Sequence, residues 1–330
     1  MNNILVCGAG AVGKRHIKNL ISFGENVLVW RERKLKLKEI RDNFGVQTCS
    51  DLEKALNRSK AVIIATATDR HVNIAIAALK LKKSVFIEKP ISNNLKNIDQ
   101  LIKLSECNIV EVGHQLRTHP SIKILNSNIK KIHPRFVMGY RFAMGQNLKN
   151  WRLNHDYKSS YTSKSSRGGG ALFELVHQID LAIWMFGPVS KVFAVLDKRS
   201  SLSINADDFS NLILKHDNGI TGQIQVDMVS PSYRGEMEII TNKNIFNFDL
   251  NNGELLSRDN KGKKILSKIP NNYNRNYLFL NHMKHFLSRL DDRKLNPICS
   301  IKDGIHSLEI LVAAHESNIK EKAIKIRRSF

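Results

Sequence analysis

Cysteine is scarce in this chain. The four residues, Cys7, Cys49, Cys107 and Cys299, lie far apart in 330 positions and none forms a C-x-x-C pair. That excludes a disulfide framework and a cysteine-based zinc site, and points to reduced thiols in the cytoplasm. Long apolar runs are missing too. Leu181 to Phe186 falls far short of the roughly 20 residues that span a bilayer, so no membrane association is expected. Met1-Asn2-Asn3 leads at once into an apolar segment, without the basic stretch of a secretory signal. Acidic residues are in deficit, 30 against 52 Lys and Arg, for a net charge of +22. Such an excess suits nucleic acid or an anionic small molecule steered into a cleft. The basic residues are dispersed and no aromatic-interleaved basic motif occurs, so only weak, nonspecific nucleic-acid binding is expected. Repeats and low-complexity tracts are absent. What remains, 42% hydrophobic and 25% charged, is the balance of a globular protein, and the length suits two domains.

The first third alternates strand and helix. Apolar runs at Ile4–Cys7, Val27–Trp30, Ala61–Ala65, Ser84–Ile87 and Ile109–Gly113 read as buried strands, with helical patterns between them. Repeated βα units predict a doubly wound parallel sheet over residues 1–118. Residues 119–330 change character. A helix near 120–129 and a strand at 135–142 precede a polar loop over 145–167 and one apolar helix over 171–186. Strands of alternating pattern follow at 191–197, 207–215, 220–229, 234–241 and 245–250. Asp217-Asn218-Gly219 and Asn251-Asn252-Gly253 mark hairpins. The expectation is a second α/β domain with a large, open, mainly antiparallel sheet, closed by helices over 274–291 and 303–317.

Gly8-Ala9-Gly10-Ala11-Val12-Gly13 follows the first strand and opens a helix, the context in which G-x-G-x-x-G binds a dinucleotide. The first glycine allows the turn, the second admits the pyrophosphate, and the third lets helix and strand pack closely. The helix N-terminus then meets the phosphates. At the end of the second strand, Arg31 and Arg33 favour the 2′-phosphate of NADP, while Glu32 leaves NAD open. Glu88-Lys89-Pro90 ends another strand, where Lys89 can donate a proton to a carbonyl oxygen as hydride reaches carbon. By itself, that lysine reads as a surface residue after a strand. Gly168-Gly169-Gly170 leads a helix that should be buried, yet it carries Glu174, His177, Gln178 and Asp180. Buried charge is costly unless paired or used. Helical spacing puts Glu174 and His177 on one face, either as an acid/base group with its carboxylate or as a satisfied internal pair. His282 with His285, and His114 with His119, lack ligand company at metal spacing, so no metal is expected. Arg275, Lys284, His285 and Arg289 read as a solvated helix face.

These motifs, with His16 behind the glycines, Ala65-Thr66-Ala67-Thr68-Asp69-Arg70-His71 and Gly113-His114-Gln115-Leu116-Arg117, resemble the glucose–fructose oxidoreductase / inositol dehydrogenase (Gfo/Idh/MocA) family in type and order. The resemblance implies a Rossmann domain and a second domain whose open sheet joins subunits, giving a homodimer or homotetramer. It implies Lys89 and His177 as catalytic residues with Glu174 beside them. Gly8, Gly10, Ala11, Val12, Gly13, Arg31, Arg33, Thr66, Thr68, His71, Glu88 and Gln115 would line the cofactor. Trp151, Arg152, Tyr157, Tyr161, Arg117 and Asp180 would meet the substrate, with arginine suited to phosphate or carboxylate. The implied activity is NAD(P)-dependent hydride transfer at a hydroxyl or keto carbon of a sugar, nucleotide sugar or cyclitol, as in bacterial surface-sugar biosynthesis. A non-catalytic NADP-binding regulator of the same fold is the alternative, which loss of the lysine or histidine would favour; both are present.

Overall fold

A continuous apolar run can form a strand only where both faces of the sheet are covered, and the amino-terminal strands take that form. The computed structural model describes residues 3–32, 36–151 and 156–330. In order come β1 (Asn3–Cys7), α1 (Ala11–Ser22), β2 (Asn26–Trp30), α2 (Leu37–Phe44), β3 (Gln47–Cys49), α3 (Leu52–Asn57), β4 (Ser59–Ile64), α4 (His71–Lys80), β5 (Ser84–Glu88), α5 (Ile98–Ser105) and β6 (Val110–Gly113). The strands form one parallel sheet in the order β3-β2-β1-β4-β5-β6. Chain direction reverses across the sheet between β1 and β4, so a crevice opens at their carboxyl ends. β3 was not expected, because Gln47-Thr48-Cys49 carries no apolar run.

The next elements are α6 (Pro120–Lys130), β7 (Val137–Gly145), α7 (Ala171–Glu174), α8 (His177–Phe186), β8 (Val189–Asp197), β9 (Phe209–His216), β10 (Thr221–Asp227), β11 (Arg234–Thr241), β12 (Ile245–Asp249), β13 (Glu254–Asp259), β14 (Gly262–Ser267), α9 (Asn276–Asp291), α10 (Ile301–Lys320) and β15 (Ile324–Lys325). The second sheet runs β14-β13-β12-β11-β7-β10-β9-β8-β15. It is antiparallel except where β7 lies parallel to β10. The expected meander is therefore interrupted, with β7 inserted between β10 and β11. Alternation holds as read: Ile220, Ile224, Val226 and Met228 are buried, while Thr221 and Gln223 are exposed. Asp227 departs from it, since its carboxylate turns inward to accept from the Val229 and Ser230 amides.

The sequence boundary at 118/119 needs correction. Two compact units form, one from the N-terminus to Gln115 with Arg275–Ile305, the other from Leu116–Asn274 with His306–Arg328. Residues 275–305 join the first unit because Met283 and Phe286 of α9 enter the same apolar cluster as Ile4, Val6, Ile17 and Phe86. Each such buried side chain contributes about 1.5–3 kcal/mol. A polar clamp adds to this. Buried Glu111 accepts from Arg289 Nη1 at 2.9 Å, His282 Nε2 at 3.1 Å and the Ile298 amide at 3.0 Å, with His285 Nδ1 at 3.3 Å. Burial pushes the Glu111 pKa up, but these donors outweigh it and bring it down to about 2. Arg289 and His285 therefore do not belong to a solvated face, as their spacing had suggested. None of the described helices is long and apolar enough to cross a membrane.

Candidate active site

In the first unit, parallel pairing brings the carboxyl ends of all strands to one edge, so segments remote in sequence meet there. The glycine loop leaves β1 at this edge. Gly8 has φ +97°, and a Cβ on it would sit 2.5 Å from the Ala65 carbonyl oxygen. A Cβ on Gly13 would sit 2.2 Å from the Gly8 oxygen. Gly10 differs, with nothing within 4 Å of its Cβ position. Two glycines thus serve close packing, while the third faces open space beside exposed Ala11 and half-buried Val12. Helix α1 begins there without a side-chain cap, so its first-turn amides have no acceptor in the helix and are suited to an anion. Loop and helix end fit the pyrophosphate of a dinucleotide.

At the end of β2, exposed Glu32 takes both guanidinium nitrogens of Arg70, at 2.6 and 3.3 Å, and Arg70 lies over the Trp30 ring. Arg31 is half-buried beside it, and Arg33 lies outside the described residues. Past β4, Thr66 is half-buried and Thr68 buried. His71 is buried, with Nδ1 3.0 Å from the Pro90 carbonyl oxygen and Nε2 3.1 Å from that of Thr66. Both ring nitrogens thus face backbone carbonyls. Burial lowers the His71 pKa despite the two carbonyls. Glu88 is likewise turned into the fold: Oε1 lies 2.6 Å from His16 Nε2 and Oε2 accepts from the Lys89 amide at 3.3 Å. Burial would raise the Glu88 pKa, but the hydrogen bond and charge of His16, with the charge of Lys89, hold it below the usual carboxylate range. Lys89 is half-buried at the strand end, followed by a cis bond to Pro90. Gln115 is half-buried just past β6.

In the second unit, the single helix read over 171–186 is two. α7 ends at Glu174 and α8 starts at His177, so Glu174 and His177 are not neighbours along one helix. Glu174 Oε1 accepts from Thr162 Oγ1 at 2.7 Å. His177 is buried at the first turn of α8. Two of the three glycines ahead of α7 admit protein. A Cβ on Gly169 would meet the Thr162 and Tyr161 carbonyls at 2.4 and 2.5 Å, and one on Gly170 the Asp207 carboxylate at 2.2 Å.

Arg117 and Asp180 also depart from expectation. The guanidinium donates to both carboxylate oxygens, at 3.0 and 2.7 Å, with side-chain exposures of 2% and 1%. An arginine read as open to a substrate anion is engaged by an internal aspartate. Trp151 Nε1 donates to the Gln146 carbonyl, and the Tyr157 hydroxyl accepts from the Ser203 amide. Tyr161 is half-buried in the same loop, and Arg152 lies outside the described residues.

Residues 2–114 match the sequence profile of an oxidoreductase family with an NAD-binding Rossmann fold, Gfo/Idh/MocA, and residues 139–246 match the C-terminal domain of that same family. The chain belongs to the Gfo/Idh/MocA oxidoreductases. It is 23% identical to myo-inositol 2-dehydrogenase of Thermotoga maritima, with 97% of each chain covered. Among solved structures, a levoglucosan dehydrogenase in complex with NADH shares its fold at TM-score 0.87 and 20% identity over 99% of each chain. The WlbA dehydrogenase from Bordetella pertussis, in complex with NADH and UDP-GlcNAcA, does so at 0.81 and 19%, again over 99% of each.

For a Gfo/Idh/MocA chain, several residues that shape these regions carried no signal in the sequence. Asp207 accepts from the Leu172 amide at 2.8 Å and its carbonyl takes the Ala171 amide, so α7 is capped from 35 residues away. Arg70 orients Glu32, and Thr162 orients Glu174. Only Arg70 lay within a motif already singled out, and nothing local to Asp207 or Thr162 marks either.

Proposed function

We propose that this oxidoreductase transfers hydride between a nicotinamide dinucleotide and a CH–OH or C=O carbon of a sugar, nucleotide sugar or cyclitol. The observation that carries this reading is the carboxyl edge of the parallel sheet. An open Gly10 and an uncapped helix end sit where a pyrophosphate binds, and Lys89 stands at the end of β5 on that same edge. A bound nicotinamide supplies or accepts the hydride. Lys89 holds the proton that a carbonyl oxygen takes up, or receives the one a hydroxyl gives up, as hydride moves. His177, carried by the second unit, is the other acid/base group, and Glu174 and Thr162 fix the turn that leads into it. Trp151, Tyr157 and Tyr161 form a substrate loop. Arg117 and Asp180 act as a supporting pair within the second unit.

Of the two cofactors we favour NAD. A 2′-phosphate would face the Glu32 carboxylate, whereas a ribose 2′-hydroxyl can donate to it. The relatives solved with NADH are consistent with this. Arg31 makes NADP the outcome that would reverse the choice. We also place the open face of the second sheet, a 710 Å³ hollow bordered by Phe193, Val195, Ile213 and Arg234, at a contact between copies in a homodimer or homotetramer. A monomer by light scattering would remove that part. The wide spacing of the four cysteines, with no C-x-x-C pair, suits a reducing cytoplasm.

The test is turnover of myo-inositol, levoglucosan and UDP-GlcNAcA with NAD and NADP. Lys89→Ala and His177→Ala are each expected to lower turnover about 10²–10⁴-fold with NADH binding retained. Unchanged turnover in either variant takes that residue out of the reaction, and a clear NADPH preference in a binding titration reverses the cofactor.

A further inference from the structure

His16 is one and a half turns into α1 and its ring is buried between Phe86 and Phe279, with edge-on centroid distances of 5.6 and 6.2 Å. Its Nε2 meets Glu88 Oε1 at 2.6 Å, the distance of a charge-assisted bond. A carboxylate only accepts, so Nε2 carries the hydrogen. Nδ1 is buried with no hydrogen-bond partner among the described residues. The second Glu88 oxygen takes the Lys89 amide at 3.3 Å. The neighbouring strand is shaped for this carboxylate. Glu88 pairs with Gly113, where a Cβ would lie 3.0 Å from both Glu88 Cδ and Oε2. Any side chain at 113 would press on the carboxylate.

We infer that His16 and Glu88 are positioning residues for Lys89: the imidazole holds the Glu88 carboxylate, which holds the backbone amide of the lysine. The helix that opens at the phosphate-binding glycines thereby also sets where the lysine stands. Neither residue touches substrate, and neither exchanges a proton in the reaction. This inference rests on the role proposed for Lys89, but the link itself can be measured without turnover.

Residue-resolved hydrogen exchange on the full chain reads the link directly. In His16→Leu and in Glu88→Gln the Lys89 amide is expected to exchange at least tenfold faster, while the amides of Val85–Ile87 stay unchanged. His16→Gln, which keeps an N–H at similar reach, should restore most of the protection. With whichever of myo-inositol, levoglucosan or UDP-GlcNAcA is turned over, His16→Leu should lower kcat 10- to 100-fold while KM and the NADH dissociation constant move less than threefold. An unchanged Lys89 amide overturns the inference. So does a uniform rise across β5 and α1, which marks a general packing role, or a loss confined to NADH affinity. If His16→Leu does not fold, Glu88→Gln, which keeps side-chain volume, decides by the same readouts. If Lys89→Ala turns over normally, the proposed reaction chemistry fails while the exchange result still stands or falls separately.

Discussion

The two units differ in where most of their polar groups are placed. In the first, the central strands of the parallel sheet are mostly apolar, and Glu32 and Lys89 lie with the glycine loop at its carboxyl edge. Its buried exceptions include the His16–Glu88 pair and Glu111, which fastens α9. In the second, polar pairs sit inside. Arg117 is bidentate to Asp180. His216 donates from Nδ1 to the Gly187 carbonyl at 2.7 Å and accepts the Tyr140 hydroxyl at Nε2, 2.8 Å away. His306 accepts the Val189 amide at Nε2 and donates to Glu309 from Nδ1. In a sheet with both faces covered, the few buried charges, such as Glu111, are paired. A sheet with one open face leaves its helices and strand ends to be fixed by directional bonds. The lesson is that a buried charged residue here marks support as readily as chemistry.

The strongest test of this contrast is Asp180→Asn. Leaving the Arg117 guanidinium without its carboxylate should cost about 3–5 kcal/mol, read as a fall in unfolding temperature of roughly 10 °C. A stability change under about 1 kcal/mol with turnover lost would return Asp180 to the substrate and dissolve the contrast.

Next in size is a pH effect in the second unit. Burial outweighs the Gly187 carbonyl and brings the His216 pKa from 6.5 down to about 4. Between those values the unfolded chain binds a proton that the folded chain does not, so stability rises with pH. This contribution is complete above about pH 6.5 and is lost as pH falls towards 4, at most about 3 kcal/mol. His216→Gln should flatten that part of the denaturation-midpoint profile, and equal slopes in variant and parent would exclude the histidine as its source.

The smallest structural effect belongs to the edge of the first unit. Gly10→Ala meets no neighbour, so the unfolding temperature should stay within about 1 °C while NADH binding weakens roughly tenfold, about 1.4 kcal/mol. A large loss of stability would show that Gly10, like Gly8 and Gly13, is there for packing.

Much of the first unit was legible because its rules are local. A buried parallel strand declares itself by an unbroken apolar run, and the glycine loop by its place between strand and helix. The second unit yielded its strands and turns, since Ile220 to Met228 alternate as a half-covered strand must. It did not yield its order: β7 beside β10 is a pairing between strands about 80 residues apart, which no local pattern encodes. The same limit governed the site residues. Helical spacing linked Glu174 to His177, but the helix breaks between them and Glu174 turns to Thr162. Arg117 has the chemistry of an anion ligand, and its partner Asp180 lies 63 residues on.

By itself, then, the order of residues determined the composition of each element, the dinucleotide loop, the presence of Lys89 and His177, and membership of Gfo/Idh/MocA. Those properties depend on spacings within one turn or one strand, where covalent geometry alone fixes what can meet. Tertiary structure alone decided which polar groups are spent on each other, which glycines face open space, and that α9 returns to the first sheet. Those outcomes turn on contacts between segments tens to hundreds of residues apart, and only the folded core decides which of them form.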